Sequence, residues 1–250
     1  MAQRESMENA FQEIEDKAPR IIKKIEVFAT GKKIPLKDEE REILSFFTAI
    51  QLFRVPNFRH GVEEMHRKIV EISLSQMVEN DKKKGELPPE VEKFYARGDI
   101  KVEIEPFVSL EHMVNLAQEG ANRLLNRVWH FAAPGDGIKF VTSDNPVYFQ
   151  APEEYRAHTK YGIGPLHPYA ELTIPLKKNL LLIICPAIKY KPDQFELMNC
   201  TTVLLDRADT KNINKRTTMA AERFVYASEW SEGLARMVAK YKGTSQKLRV

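Results

Sequence analysis

The longest uninterrupted apolar run in the chain is Leu180-Leu181-Leu182-Ile183-Ile184-Cys185, six residues followed by Pro186. It falls far short of the ~20 residues that span a bilayer, so it reads as a buried strand. A buried strand needs neighbours and a covering layer. Glu171-Leu172-Thr173-Ile174 precedes it and is a second strand, joined through a turn over Pro175 to Asn179. Val203-Leu204-Leu205 and Phe224-Val225-Tyr226-Ala227 add further strand candidates. Val128-Trp129-His130-Phe131 and Ile138-Lys139-Phe140-Val141-Thr142 flank Ala133-Pro134-Gly135-Asp136-Gly137. An Asp-Gly turn between two strand-like runs predicts a hairpin there.

The covering layer is helical and comes from the first half. Phe11, Ile14, Ala18, Ile21, Ile22 and Ile25 recur every three or four residues and form one stripe. Pro19 interrupts it, so this helix kinks or two helices abut there. A second helix begins at Lys37 or Asp38, with Glu39 and Glu40 in its first turn and Ile43, Leu44, Phe47, Ile50 and Phe53 on its apolar face. A third follows Pro56 with Val62, Met65, Ile69 and Ile72 expected to face inward, and Lys82 to Pro89 is a linker. Further helices are expected near 90–95, over 109–125 with Ser109 as N-cap, over 209–222 and over 231–240. The segment 151–169, rich in Pro, Gly, Tyr and His, is a long loop of the kind that often carries function. The fold class is therefore α+β: a helical N-terminal half packed on a small, mostly antiparallel sheet, with C-terminal helices. We expect one domain in three parts, 1–98 helical, 99–230 mixed helix and sheet, and 231–250 a C-terminal helix and basic tail.

Composition narrows the function classes. In 250 residues, 38 Lys+Arg against 35 Asp+Glu leave a net charge of +3, with 43% hydrophobic and 29% charged residues. That is ordinary globular composition and does not demand a nucleic-acid or membrane partner. Two cysteines and the lack of a signal-like apolar stretch fit a soluble, cytoplasmic protein. The chain holds no phosphate-binding P-loop, no HExxH, no paired CxxC and no GxSxG. Its six histidines stand singly, and Gly162-Ile163-Gly164 lacks the context of a dinucleotide fingerprint. His130, beside Trp129, reads as a packing residue; His158 and His167 flank the long loop.

Four groups of residues can carry chemistry. Phe140 to Val147 ends a strand in Ser143-Asp144-Asn145-Pro146. Asp144 is there either as a turn-forming acceptor or as a fixed carboxylate, a general base or metal ligand. Gln51 and Arg54 share a helix face, and Arg54 either complements the helix dipole or clamps an anion. Glu8 and Glu15, two turns apart on the first helix, are candidate oxygen ligands which with Asp144 would hold a divalent metal. Finally, Arg207, Lys211, Lys215 and Arg216 form a basic stretch. Nucleic acid is an option for the helix over 207–216, but thin aromatic interleaving does not favour it.

With Met7 to Glu15, Phe46 to Pro56, Trp129 with Phe140 to Val147, Pro175-Leu176, Asn214, and Ala221 to Tyr226 in this order, the chain resembles a bacterial family of domains of unknown function, DUF4238. The resemblance covers most of the chain and implies no reaction. It adds Asn214 and Arg223 to Gln51, Ser143 and Asn145 as candidate ligand-binding residues. It also implies a strand with a His and a Pro ahead of the first helix, and this chain is expected to lack it, which would leave an active site built on that His incomplete. The resulting expectation is a binding or regulatory module of unknown ligand. The alternative is a metal-assisted phosphodiester hydrolase using Asp144 and Arg54.

Overall fold

The computed structural model describes residues 2–28, 31–98, 100–135, 137–151 and 164–244, with side chains for all of these except 2–10, 106, 107 and 187. Contacts divide the chain into two compact units, Met1–Val55 with Val114–Gln246, and Pro56–Met113.

The larger unit begins with α1 (Ala2–Glu26), one helix that runs through Pro19. Pro19 lies on its exposed side, while Ile14, Ala18, Ile21, Ile22 and Ile25 are buried. A missing N–H on the solvent face leaves a carbonyl that water can satisfy, so the proline is tolerated. Helix α2 (Asp38–Phe53) opens where expected: the Lys37 amide donates to Glu40 Oε2 at 2.8 Å. Its Leu44, Ser45, Ala49, Ile50 and Phe53 are buried, and Ser45 Oγ donates to the Ala121 carbonyl of α5 (Pro106–Leu125) at 2.6 Å.

The sheet has five strands in the order β3-β4-β5-β1-β6. These are β1 (Val128–Ala133), β3 (Tyr148–Gln150), β4 (Glu171–Lys177), β5 (Leu180–Cys185) and β6 (Thr201–Leu204). All pairs are antiparallel except β1 with β6. The expected β4–β5 hairpin forms, with a bulge between Pro175 and Lys177. Beyond β5 come α6 (Pro192–Met198), α7 (Arg207–Ala220) and α8 (Glu232–Tyr241), the last capped by Ser231 Oγ accepting from the Leu234 amide at 3.2 Å.

The hairpin expected over 128–142 does not form. β1 pairs with β5 and β6, while β2 (Thr142–Ser143) pairs antiparallel with β7 (Val225–Tyr226) in a separate two-stranded sheet. The connection instead passes against the start of α7, where the Gly135 amide donates to Thr210 Oγ1 at 3.1 Å. A Cβ on Gly135 would lie 2.3 Å from the Leu205 carbonyl oxygen, so the glycine serves a close backbone approach rather than a two-residue turn.

In the smaller unit, α3 (Pro56–Lys84) continues through the expected linker lysines and α4 (Pro89–Arg97) ends at Gly98, left-handed at φ 70°. Val62 is buried as expected, but Met65, Ile69 and Ile72 are 37%, 52% and 57% exposed. Helical spacing aligns apolar residues on a face without ensuring that the face is covered. Ser109 is not an N-cap either: α5 starts at Pro106, and Ser109 Oγ donates to Glu63 at 3.1 Å.

Candidate functional site

In the larger unit both faces of the sheet carry helices. Trp129, Phe131, Leu172, Ile174, Leu182 and Ile184 are 2% exposed or less and make one face apolar. Here Trp129 Nε1 donates to the Leu124 carbonyl at 3.0 Å and the Arg41 guanidinium lies over its ring at 5.1 Å. Alternation places the residues between them on the other face. Register lines up one transverse row there across all five strands: Tyr148, Thr173, Ile183, His130 and Thr201. Gln150, Glu171 and Cys185 follow in the next row.

Helix α7 covers part of this second face. Its Ile213 packs with Ala132, Phe140 and Leu181, and Ile183, Val203 and Leu205 close around them. Asp209, Asn212 and Arg216 continue the same helical stripe. Between them and the strands is a cleft of about 400 Å³. Its polar lining combines His130, Glu171 and Thr173 with those three α7 residues.

The polar groups are organised in two networks. His130 Nδ1 lies 2.7 Å from Thr201 Oγ1 and Nε2 lies 3.1 Å from the Tyr190 hydroxyl, which also hydrogen-bonds the Cys185 thiol. Burial holds the imidazole below its ordinary range, against a partial opposing pull from Glu171. Burial, assisted by the Glu171 charge, pushes the Cys185 thiol up to about 11. Burial and the neighbouring Cys185 raise the Tyr190 phenol as well. All three groups are therefore neutral near pH 7, and Cys185 is not poised as a thiolate nucleophile. In the second network Arg216 is 3.3 Å from Glu171, with Lys189 3.9 Å from the same carboxylate. The Gln150 carboxamide oxygen, turned toward the guanidinium, accepts from Nη1 and Nη2 at 3.1 and 2.8 Å.

One group is left over. Thr173 is 2% exposed, and its Oγ1 has no hydrogen-bond partner among the described residues. A buried hydroxyl without a partner costs about 1–3 kcal/mol, and this one lines the cleft.

The candidate catalytic, metal and ligand-binding residues with described side chains lie elsewhere. Asp144 Oδ1 accepts from the Glu222 amide at 2.9 Å, and Oδ2 accepts from the amides of Arg223 and Phe224 at 2.7 and 3.1 Å. Its carboxylate thus ties β2 to the approach of β7. Ser143 Oγ donates to the Asn145 carbonyl at 2.7 Å and accepts from the Asn145 amide at 3.2 Å, a local turn. Asn214 is buried and pins the 139–141 segment, donating to the Lys139 carbonyl at 2.8 Å and accepting from the Val141 amide at 3.1 Å. Arg54 is the exposed C-cap of α2, within electrostatic reach of exposed Glu15. Gln51 is buried on α2, and the Arg223 side chain is exposed. Among the described residues no hydrogen bond or ion pair joins Asp144 to Arg54 or Glu15, and no three His, Cys, Asp or Glu are gathered to hold a metal. The Glu8 side chain, His158 and the loop residues 152–163 lie outside the described residues.

Two arginines hold positions that their sequence neighbourhood does not show. Arg216 belongs to the cleft, with its side chain 18% exposed, and not to a solvated basic stripe. Arg127, 4% exposed, donates to the carbonyls of Ala170 and His167 at 2.8 and 2.9 Å and anchors the chain just before β4. Burial, with repulsion from Arg123, pushes its guanidinium down to about 10. The alternation of polar and apolar residues in Glu171-Leu172-Thr173-Ile174 was the available signal for the cleft.

A family model described as protein of unknown function, DUF4238, matches residues 1–231. The chain belongs to this family. No curated protein and no solved structure gives a match. Every cleft residue of this DUF4238 member lies inside the matched span, as does Asp144, whereas α8 lies beyond it. Among the described residues no helix is long and apolar enough to cross a membrane.

Proposed function

We propose that this protein is a binding module that takes a small polar molecule into the cleft between α7 and the sheet. The observation that carries the reading is the Thr173 hydroxyl, buried in the cleft wall without a partner. A ligand group that exchanges a hydrogen bond with it, once the side chain turns toward the cleft, removes a cost already present in the free protein. The volume of about 400 Å³ falls within the range of small-molecule sites. The floor of Ile183, Val203 and Ile213 is apolar, while Glu171, Arg216, Asn212 and neutral His130 offer both donors and acceptors. The ligand class is therefore one with hydrogen-bonding groups around a compact apolar body.

The hydrolase alternative requires a free Asp144 carboxylate, and its oxygens are engaged with three backbone amides. Binding is the better-supported reading. Ligand-observed NMR with a set of nucleosides, amino acids and short sugars tests it. Compounds bound by the wild type should lose binding in Asn212→Trp, which fills the cleft mouth from an exposed position, and in Thr173→Val, while Arg54→Ala retains it. Equal binding by Asn212→Trp, or no binding by any compound at millimolar concentration, refutes the proposal.

A further inference from the structure

A different surface of the larger unit carries three exposed aromatic side chains close together in sequence. Phe224, Tyr226 and Trp230 are 57%, 53% and 78% exposed. Phe224 immediately precedes β7 and Tyr226 lies in it two residues on, and their side chains come together. Their ring centroids are 6.2 Å apart with an interplanar angle of 33°, two neighbouring π faces open to solvent. Folding gains nothing from leaving three large rings in water.

Cations border the rings. Lys242 Nζ donates to the Arg223 carbonyl at 3.2 Å, which sets an ammonium beside Phe224. The Arg223 side chain is itself exposed. On the adjoining α7 and α8, Lys215 and Lys240 place their ammonium groups 4.5 and 5.1 Å from the Tyr241 ring centroid. None of these four cations forms an ion pair among the described residues.

We infer that β7, the 227–231 link and the start of α8 form a binding surface for single-stranded nucleic acid. Unstacked bases would lie on Phe224, Tyr226 and Trp230, and phosphates would meet Arg223, Lys242 and Lys240. Exposed aromatic residues on and beside β7, edged by Lys and Arg, supply the two attractions that single strands offer, stacking and charge. A duplex buries its base faces and cannot use the rings. A membrane-inserting patch would need more aliphatic bulk than Val225 alone, and the residues between Tyr226 and Trp230 are Ala227, Ser228 and Glu229.

The test is fluorescence anisotropy of fluorescein-labelled oligo(dT) and oligo(U), about 16 nucleotides long to cover one site, with Trp230 quenching as a second readout. The full chain should bind both, quench, and weaken with salt at a log–log slope of about −0.7 for each phosphate neutralised. Phe224→Ala with Tyr226→Ala should weaken binding at least about tenfold, while Tyr226→Phe, which keeps the ring, should bind as the wild type does. Arg223→Gln with Lys242→Gln should flatten the salt slope. These side chains are exposed, and unchanged far-ultraviolet circular dichroism will show that the variants fold. Full affinity in the double alanine variant overturns the inference, as does equal or tighter binding of a duplex of the same length. Binding to phosphatidylserine vesicles without oligonucleotide binding also overturns it, in favour of a membrane surface.

Discussion

Replacing Asp144 by alanine separates the structural from the chemical meaning of this carboxylate. Its two oxygens accept from the amides of Glu222, Arg223 and Phe224, and its own amide donates to the Phe224 carbonyl at 3.2 Å. The β2–β7 pair it fastens has only two residues per strand, too few to hold by ladder bonds alone. A hydrogen bond to a charged acceptor contributes about 1.5–3 kcal/mol, so three full losses would exceed ~4 kcal/mol. Arg223 and Phe224 are exposed, and water can take over two of the three amides. We therefore expect a loss of about 2–4 kcal/mol, which for a chain of this size is a fall of about 4–16 °C in Tm. Asp144→Asn retains one acceptor oxygen and should fall between the two.

Thermal melts by circular dichroism, paired with amide hydrogen exchange, provide the assay. Protection should drop first at residues 222–226 and reach the β1–β5 ladder last. If Asp144→Ala melts within about 1 °C of the wild type with unchanged protection at 222–224, the carboxylate is not a clamp. It would then be available for the hydrolytic role that the sequence pattern suggested.

Thr173→Val removes the unpartnered hydroxyl while keeping the shape, and the ligand-free protein should be unchanged or stabilised by about 1–2 kcal/mol in urea unfolding; a loss above about 1 kcal/mol would mean the hydroxyl already has a partner. His130 is held below its ordinary pKa of 6.5 by burial, so the unfolded chain takes up the proton first as pH falls. Its contribution is complete above about pH 6.5 and is lost toward the folded pKa. Wild-type Tm should therefore fall more steeply than that of His130→Gln between about pH 7 and 5, and parallel curves would refute this. Gly135→Ala forces a Cβ against the Leu205 carbonyl at 2.3 Å and should cost about 1–3 kcal/mol. A neutral Tm for that variant would show that the β1–α7 passage can relax.

Where sequence reasoning succeeded, the signal was local. Ile14 to Ile25 packed as one stripe, Leu180 to Cys185 became a strand beside 171–177, and the second helix began at Asp38, because periodicity and helix-start signals act within a few residues. Where it failed, the deciding partner was distant. Nothing within 133–137 shows that Gly135 meets Leu205 and Thr210, so the Asp-Gly motif was taken for a hairpin. The cleft failed to show for the same reason. His130, Glu171, Thr173 and Arg216 lie on three separate elements, and only the β4–β5–β1 register puts the first three on one face.

Asp144 shows how one local reading can support two chemistries. An Asp before Asn-Pro at a strand end is either a turn acceptor or an exposed catalytic carboxylate, and both readings place it in the same backbone setting. What distinguishes them is whether three amide donors from residues 222–224 converge on the oxygens. Those donors belong to the segment that presents Phe224 and Tyr226. The carboxylate therefore bears on function through position: by fixing the start of β7 it fixes the spacing of the two rings. Asp144→Ala should accordingly weaken oligonucleotide binding together with local protection, whereas Thr173→Val, in the cleft behind α7, should leave oligonucleotide binding unchanged.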